Sequence, residues 1–181
     1  FESLPNQLAS IELKKVRDHV VRAYRDNRMV TVALGGHVIK TGCAPYLIDL
    51  IRRGVIKAVA MNGAAAIHDF ELGFVGKTSE DVGAVLHSGG FGMARETAMA
   101  YAAAASHGTE SGRGLGFGLG EFMARTGCQH PDASLVLACH RAGIPCTVHV
   151  ALGTDIVHMH PNVSGAALGE SSMIDFRILC T

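Results

Sequence analysis

Two apolar stretches decide the fold: MVTVALGG at residues 29–36 and VIKAVAMNG at residues 55–63. Each is a run of mostly small and β-branched apolar residues that ends at glycine, which is typical of a strand covered on both faces. Between them, residues 43–53 have a helical pattern that closes at Gly54. A strand, a helix and a second strand joined by short connections predict a right-handed parallel crossover unit.

The rest of the chain continues this alternation. Further helices are predicted at residues 8–24, 64–72, 93–105 and 132–141, and a third strand at residues 145–152. We therefore predict a single α/β domain over residues 1–181, with a Rossmann-like, mostly parallel sheet flanked by helices on both faces. Because the chain opens at Phe1 and its last residues, 173–180, are apolar, an incomplete chain is one interpretation.

Composition narrows the function classes. The 181 residues are 48% hydrophobic and 18% charged, with 16 basic and 16 acidic side chains, so the basic surface that nucleic-acid binding needs is not expected. No apolar run reaches the 18 or so residues of a membrane span. The low charge predicts a homo-oligomer, a tetramer or a dimer. Five cysteines without a CxxC pair predict free thiols in a reducing cytoplasm.

A glycine at every second position marks residues 112–120. A dinucleotide-binding loop needs a strand directly before it and a helix after it, and here an alanine-rich helical stretch and a polar loop come first. We therefore expect a flexible hinge or a tight helix–helix contact.

Ligands of open α/β sheets bind beyond the carboxyl ends of the strands. Here those ends carry Gly35 and Gly36, then Asn62 and Gly63, and finally Asp155. Small residues allow a ligand to approach the backbone, and the N-termini of the following helices suit a pyrophosphate. The carboxylate of Asp155 could accept hydrogen bonds from ribose hydroxyl groups. The pattern predicts a nucleotide-binding site in a protein that acts on a small molecule, although small residues are also ordinary at such turns.

A histidine-rich stretch supports a competing hypothesis. His149, Asp155, His158 and His160 fall within twelve positions, and the last two histidines would share a face if the segment were extended. Nitrogen and oxygen donors of this kind bind divalent metals, which activate water as a nucleophile. A metal-dependent hydrolase is therefore the alternative function, and a non-catalytic binding subunit is the third.

Three segments resemble deoxyhypusine synthases in order and spacing. They are residues 36–42 at the first strand end, residues 53–69 with the arginine-glycine pair and the second strand, and residues 143–155 with Gly-Ile-Pro followed by Thr-Asp. The resemblance implies a Rossmann-like homotetramer that binds NAD at these strand ends. Members of this family oxidise spermidine with NAD and transfer an aminobutyl group, through an enzyme lysine, to a lysine of a translation factor.

By position, the resemblance assigns residues to two roles. The residues expected to bind NAD are Gly36, His37, Val38, Ile39, Asn62, Gly63 and Asp155. His68 and Asp69 are the expected catalytic residues, with His68 standing where the family has a carboxylate near the polyamine. An imidazole at this position would repel a polycation when charged, so weak spermidine binding is expected.

The chain also departs from the family. The family's glycine-rich motif, which carries the nucleophilic lysine, does not occur in this sequence. A lysine that forms a Schiff base must be desolvated or lie near another cation. We therefore predict a deoxyhypusine synthase-like protein that does not carry out the synthase reaction as this chain stands.

Overall fold

The computed structural model describes residues 3, 5, 7, 9–78, 82–89 and 94–181. Its sheet has three parallel strands in the order β1-β2-β3: β1 is Thr31–Leu34, β2 is Ala58–Asn62 and β3 is Cys146–His149. In the pairing register, Leu34 lies opposite Met61 and Asn62 lies opposite His149. The carboxyl ends of all three strands therefore meet at one edge of the sheet, which we call the carboxyl edge.

Helices flank this sheet, so the predicted Rossmann-like α/β fold is confirmed. The described α-helices are α1 (Ala9–Arg25), α2 (Gly36–Lys40), α3 (Ala44–Arg52), α4 (Gly63–Val75), α5 (Val82–Val85), α6 (Arg95–Glu110), α7 (Gly114–Thr126), α8 (Leu135–Ala142) and α9 (Gly165–Leu179). The first residues of two predicted helices, Leu8 and Met93, lie outside the described part of the chain.

The two faces of the sheet carry different side chains. Register places Val59, Met61 and Val148 on one face, and all three are fully buried in the hydrophobic core. The other face carries small side chains such as Ala58 and Ala60, which are also buried. Burial on both faces explains why β2 is apolar without alternation. The same cover expected for β1 is wrong, because its residues alternate between exposed and half-buried and none is fully buried.

Most of the glycine-rich stretch lies in helix α7, which packs tightly against α6 and β3. This agrees with the expected tight contact rather than with a flexible hinge. A Cβ at Gly118 would overlap the backbone carbonyl of Ala104 on α6, and one at Gly116 would overlap the carbonyl of Cys146 on β3. Glycine is therefore needed here because backbone lies directly against the helix. These glycines support packing rather than a nucleotide loop.

Helix α1 is predicted correctly but has no buried residue. Its apolar side chains Val16 and Tyr24 are about half exposed, in contrast to the core helices. No described helix is both long and apolar enough to cross a membrane. All five cysteines are free thiols, and Cys139 and Cys146 are buried.

Candidate functional site

At the carboxyl edge, two glycines leave the backbone without side chains, and helix α4 begins with a capping side chain. Gly35 and Gly36 follow β1, and a Cβ at Gly35 would lie 3.7 Å from Nδ2 of Asn62 at the end of β2. The Asn62 side chain turns to α4 and accepts a hydrogen bond from the Ala65 backbone N–H (2.9 Å). This satisfies one of the free donors at the start of the helix.

Asp155 reaches the same edge from the loop after β3. A Cβ at Gly63, the first residue of α4, would overlap the Asp155 carboxylate, so any side chain there would displace Asp155. Burial raises the pKa of Asp155, and His158 acts in the opposite direction. Tyr101 donates a hydrogen bond to the Gly63 carbonyl (3.2 Å). The pKa of Tyr101 is well above its usual value because of burial first and nearby carboxylates second, so its hydroxyl stays neutral.

His158 lies beside Asp155 with its two ring nitrogens in different surroundings. Its Nδ1 accepts a hydrogen bond from the Gly153 backbone N–H (3.1 Å). Its Nε2 is buried without a hydrogen-bond partner and lies 3.9 Å from Oδ2 of Asp155. Since Nδ1 accepts, the neutral ring carries its proton on Nε2, which faces the carboxylate.

His68 lies on the other side of the first turns of α4. A Cβ at Gly36 would lie 3.3 Å from its Cδ2 atom, so the ring stands against the end of β1. Its buried Nδ1 has no hydrogen-bond partner and lies 3.7 Å from Oε2 of Glu71. The second oxygen of Glu71 accepts a hydrogen bond from the Thr97 hydroxyl (3.1 Å). Imidazole, carboxylate and hydroxyl therefore form a row from the strand end into the protein.

Asp69, the other predicted catalytic residue, has different neighbours. It is fully buried, and its carboxylate accepts hydrogen bonds from the Ser134 hydroxyl (2.6 Å) and the backbone N–H groups of Leu135 (2.6 Å) and Val136 (3.0 Å). Burial raises its pKa to about 6, against the opposing effect of these bonds. These contacts cap the start of α8, so they indicate a structural role, and its catalytic role stays a prediction.

The residues predicted to bind the cofactor differ in how far they are exposed to solvent. His37 is exposed on α2, and Gly36 and Val38 are half-buried. Ile39 is 0% exposed and packs in the core, so it supports the strand end from beneath. Asn62 is exposed, whereas Gly63 lies buried under Asp155. The structure thus brings Gly36, Asn62, Gly63 and Asp155 to one edge.

The four residues of the alternative metal hypothesis do not form a cluster in the structure. His149 Nε2 shares a hydrogen bond with the Thr147 hydroxyl (2.9 Å), and His160 Nδ1 accepts from the Asn162 backbone N–H (3.2 Å). The segment around His158 is a 3-10 helix rather than a strand, so the expected shared face does not form. Among the described residues, no three metal-binding side chains converge.

Sequence reasoning missed three residues of the edge, Glu71, Thr97 and Tyr101. Glu71 had a usable signal, because it follows His68 by three positions and side chains at that spacing share a helix face. Adjacent residues such as His68 and Asp69 point in different directions on a helix. Thr97 and Tyr101 come from α6, far along the chain, and no local pattern links them to this edge.

A cleft elsewhere in the molecule has a different chemical character. It has a volume of about 380 Å³, lies between α7, α8 and β3 and is lined in part by Arg113, Phe117, His140 and Asp175. There, Asp175 Oδ2 accepts hydrogen bonds from the backbone N–H groups of Gly116 (2.9 Å) and Val148 (2.8 Å). Burial raises the pKa of Asp175 to about 7. This carboxylate ties α9 to α7 and β3.

Comparison with known proteins adds support for the fold. No protein-family model and no curated protein matches the chain. A solved structure of apo ArgZ, an arginine dihydrolase from the ornithine-ammonia cycle in cyanobacteria, is similar with a TM-score of 0.54 and 17% sequence identity. The match covers 90% of this chain but 21% of the ArgZ chain. At this identity the likeness shows a shared fold alone.

Proposed function

We propose that this chain binds an NAD-type dinucleotide across the carboxyl ends of β1 and β2. The observation that carries the proposal is that Gly35 and Gly36 leave the backbone without side chains at the end of β1, while Asp155, from the loop after β3, lies over Gly63 at the end of β2. Ligand sites of open α/β sheets lie at this edge, and an acidic residue there commonly binds ribose hydroxyls.

The side chains favour one placement of the cofactor. The Asp155 carboxylate lies over the first residue of α4, and Asn62 already bonds the Ala65 N–H. A pyrophosphate at that helix start would meet a carboxylate, which is unfavourable. We place the phosphates near Gly35 and Gly36, where His37 and Lys40 are exposed, and the ribose near Asp155.

We also propose that the protein is deoxyhypusine synthase-like without being a competent synthase as this chain stands. The sequence motifs at the three strand ends support this class, and the parallel sheet is compatible with it. His68 takes the position of a family carboxylate, which disfavours a polycationic substrate. The shared fold with ArgZ does not identify a substrate.

Calorimetric titration tests the cofactor proposal. NAD and AMP are each titrated into the wild-type chain and into Gly63→Ala, where the new Cβ must displace Asp155. We expect binding to the wild type and at least a tenfold weaker affinity in the variant, which corresponds to about 1.4 kcal/mol. Gly165→Ala is the matched control, since nothing lies within 4 Å of its Cβ. The absence of both binding heat and a thermal shift at millimolar NAD would disprove the proposal.

We further propose that the chain works as a homo-oligomer in a reducing cytoplasm. Exposed apolar side chains on α1 and α9, including Val16, Tyr24, Phe176 and Leu179, support self-association, and the five free thiols support the location. Stable association needs roughly 1,600 Å² of buried surface. Light scattering should give a dimer or tetramer mass, and a monomer mass at micromolar concentration would contradict the proposal.

A further inference from the structure

Two imidazoles stand at the carboxyl edge with opposite hydrogen-bonding surroundings. His158 Nδ1 accepts a backbone N–H from Gly153, which leaves its proton on Nε2. His68 Nδ1 instead faces a carboxylate oxygen of Glu71 at 3.7 Å. The hydrogen bond made at one ring nitrogen determines which nitrogen of a neutral histidine is protonated.

We propose that Glu71, oriented by Thr97, is a positioning residue that holds His68 as the Nδ1-protonated tautomer, so that Nε2 of His68 is the proton acceptor of the site. A lone pair on Nδ1 would point at a buried carboxylate and be repelled, whereas an N–H there is attracted to it. The role of Nε2 toward a ligand rests on the proposed nucleotide site.

The position of Glu71 makes it suited to this task. Only 3% of its side chain is exposed, Oε1 accepts a hydrogen bond from the Thr97 hydroxyl, and Oε2 lies 3.7 Å from Nδ1 of His68. The separation of 3.7 Å exceeds that of a normal hydrogen bond, and such contacts are often long in ligand-free sites and shorten when the ligand binds. A carboxylate that orients an imidazole in this way fixes both its tautomer and its ring angle.

The arrangement defines the chemistry of the ligand group. Nε2 is bonded to Cδ2, the ring atom closest to the end of β1, and 23% of the His68 side chain is exposed. As an acceptor it would take a hydrogen bond or a proton from a hydroxyl group of the ligand. His158 presents the complementary Nε2–H beside Asp155. One acceptor imidazole and one donor imidazole therefore flank α4.

Nitrogen NMR of the full chain tests the tautomers directly. With ¹⁵N-labelled histidine, His68 is assigned by comparison with His68→Gln, and long-range proton–nitrogen correlations report which ring nitrogen is protonated. We expect protonated Nδ1 and unprotonated Nε2 for His68, and the reverse for His158. In Glu71→Gln the preference of His68 should be lost while His158 stays unchanged. Thr97→Val should weaken the preference, and Thr97→Ser should restore it.

Two results would overturn the inference: an Nε2-protonated His68 in the wild type, or an unchanged tautomer in both Glu71→Gln and Thr97→Val. Using both variants keeps the test decisive if one does not fold. Titration with NAD then examines the ligand-facing role, and we expect the Nε2 resonance of His68 to move. NAD binding that leaves this resonance in place would refute that role. If calorimetry shows no NAD binding, the nucleotide proposal fails while the tautomer result still decides the assignment of Glu71.

Discussion

Asp69 and Glu71 lie two positions apart on α4, and both are buried, but they face different parts of the molecule. Both Asp69 oxygens accept hydrogen bonds from the start of α8 at 2.6 to 3.0 Å. One oxygen of Glu71 accepts a hydrogen bond from Thr97, and the other lies 3.7 Å from the imidazole of His68. A carboxylate with short bonds to backbone donors fixes the framework, whereas one beside a histidine can take part in proton transfer.

The same contrast separates Asp175 from Asp155. Asp175 is bound to backbone N–H groups of α7 and β3, and Asp155 lies beside His158 at the carboxyl edge. Strong burial is therefore a poor guide to function in this protein. The group that faces each carboxylate is a better guide. Carboxylates that accept from backbone N–H groups hold the fold together, and we call them the framework side; those beside a histidine lie at the proposed ligand site, and we call them the site side.

The largest expected effect is on the framework side. In Asp69→Asn, the amide NH₂ must face one of the helix N–H donors, because both carboxylate oxygens accept bonds. Leaving buried donors unsatisfied should lower the free energy of unfolding by about 4 kcal/mol. Chemical denaturation measures this, with Glu71→Gln as the matched control. Equal losses in the two variants would remove the distinction between them.

Asp175 provides a pH test. Its folded pKa of about 7 exceeds the ordinary value of 3.8, so the folded state binds the proton more tightly than the unfolded state. Its contribution to stability is therefore present below about pH 4 and is lost as the pH rises to 7, by on the order of 4 kcal/mol. The backbone N–H groups of Gly116 and Val148 both donate to Oδ2, and Oδ1 has no hydrogen-bond partner, so Asn can replace the neutral form.

Denaturation of wild type and Asp175→Asn between pH 4 and 8 tests this expectation. The stability of the wild type should fall more steeply with pH than that of the variant. Parallel curves would show that Asp175 is ionised throughout this range.

Ser134 should give a smaller effect. Its hydroxyl caps α8 by accepting from the Leu137 N–H (3.0 Å) and donates to Asp69. Ser134→Ala should cost about 1.5 kcal/mol of unfolding free energy. Ser164→Ala removes a comparable cap at the exposed start of α9 and should cost about 0.5 kcal/mol. A reversed order would show that burial does not strengthen the α8 cap.

The smallest stability change belongs to the site side. Glu71→Gln keeps the shape and the oxygen that accepts from Thr97, so the unfolding free energy should change by less than about 1 kcal/mol. The melting temperature measures this, alongside the histidine tautomer. A loss as large as that of Asp69→Asn would assign Glu71 to the framework.

The sequence predicts the framework better than the site. The runs at residues 29–34 and 55–61 are apolar, and a local pattern is enough to find their strands. The sequence does not show that β2 is buried on both faces whereas β1 is partly exposed. Asp155 was correctly expected at the edge because it follows β3. Its contact with Gly63, and the row from His68 to Thr97, depend on how distant segments meet. Local spacing cannot determine such contacts.

Amide chemical-shift mapping with NAD tests the central claim, that the carboxyl edge is the ligand site, most directly. We predict that the largest shifts occur at Gly35, Gly36, Gly63 and Asp155, with small shifts on α8 around Asp69's partners. Shifts confined to the cleft that Arg113 and His140 line, or no shifts at millimolar NAD, would contradict it.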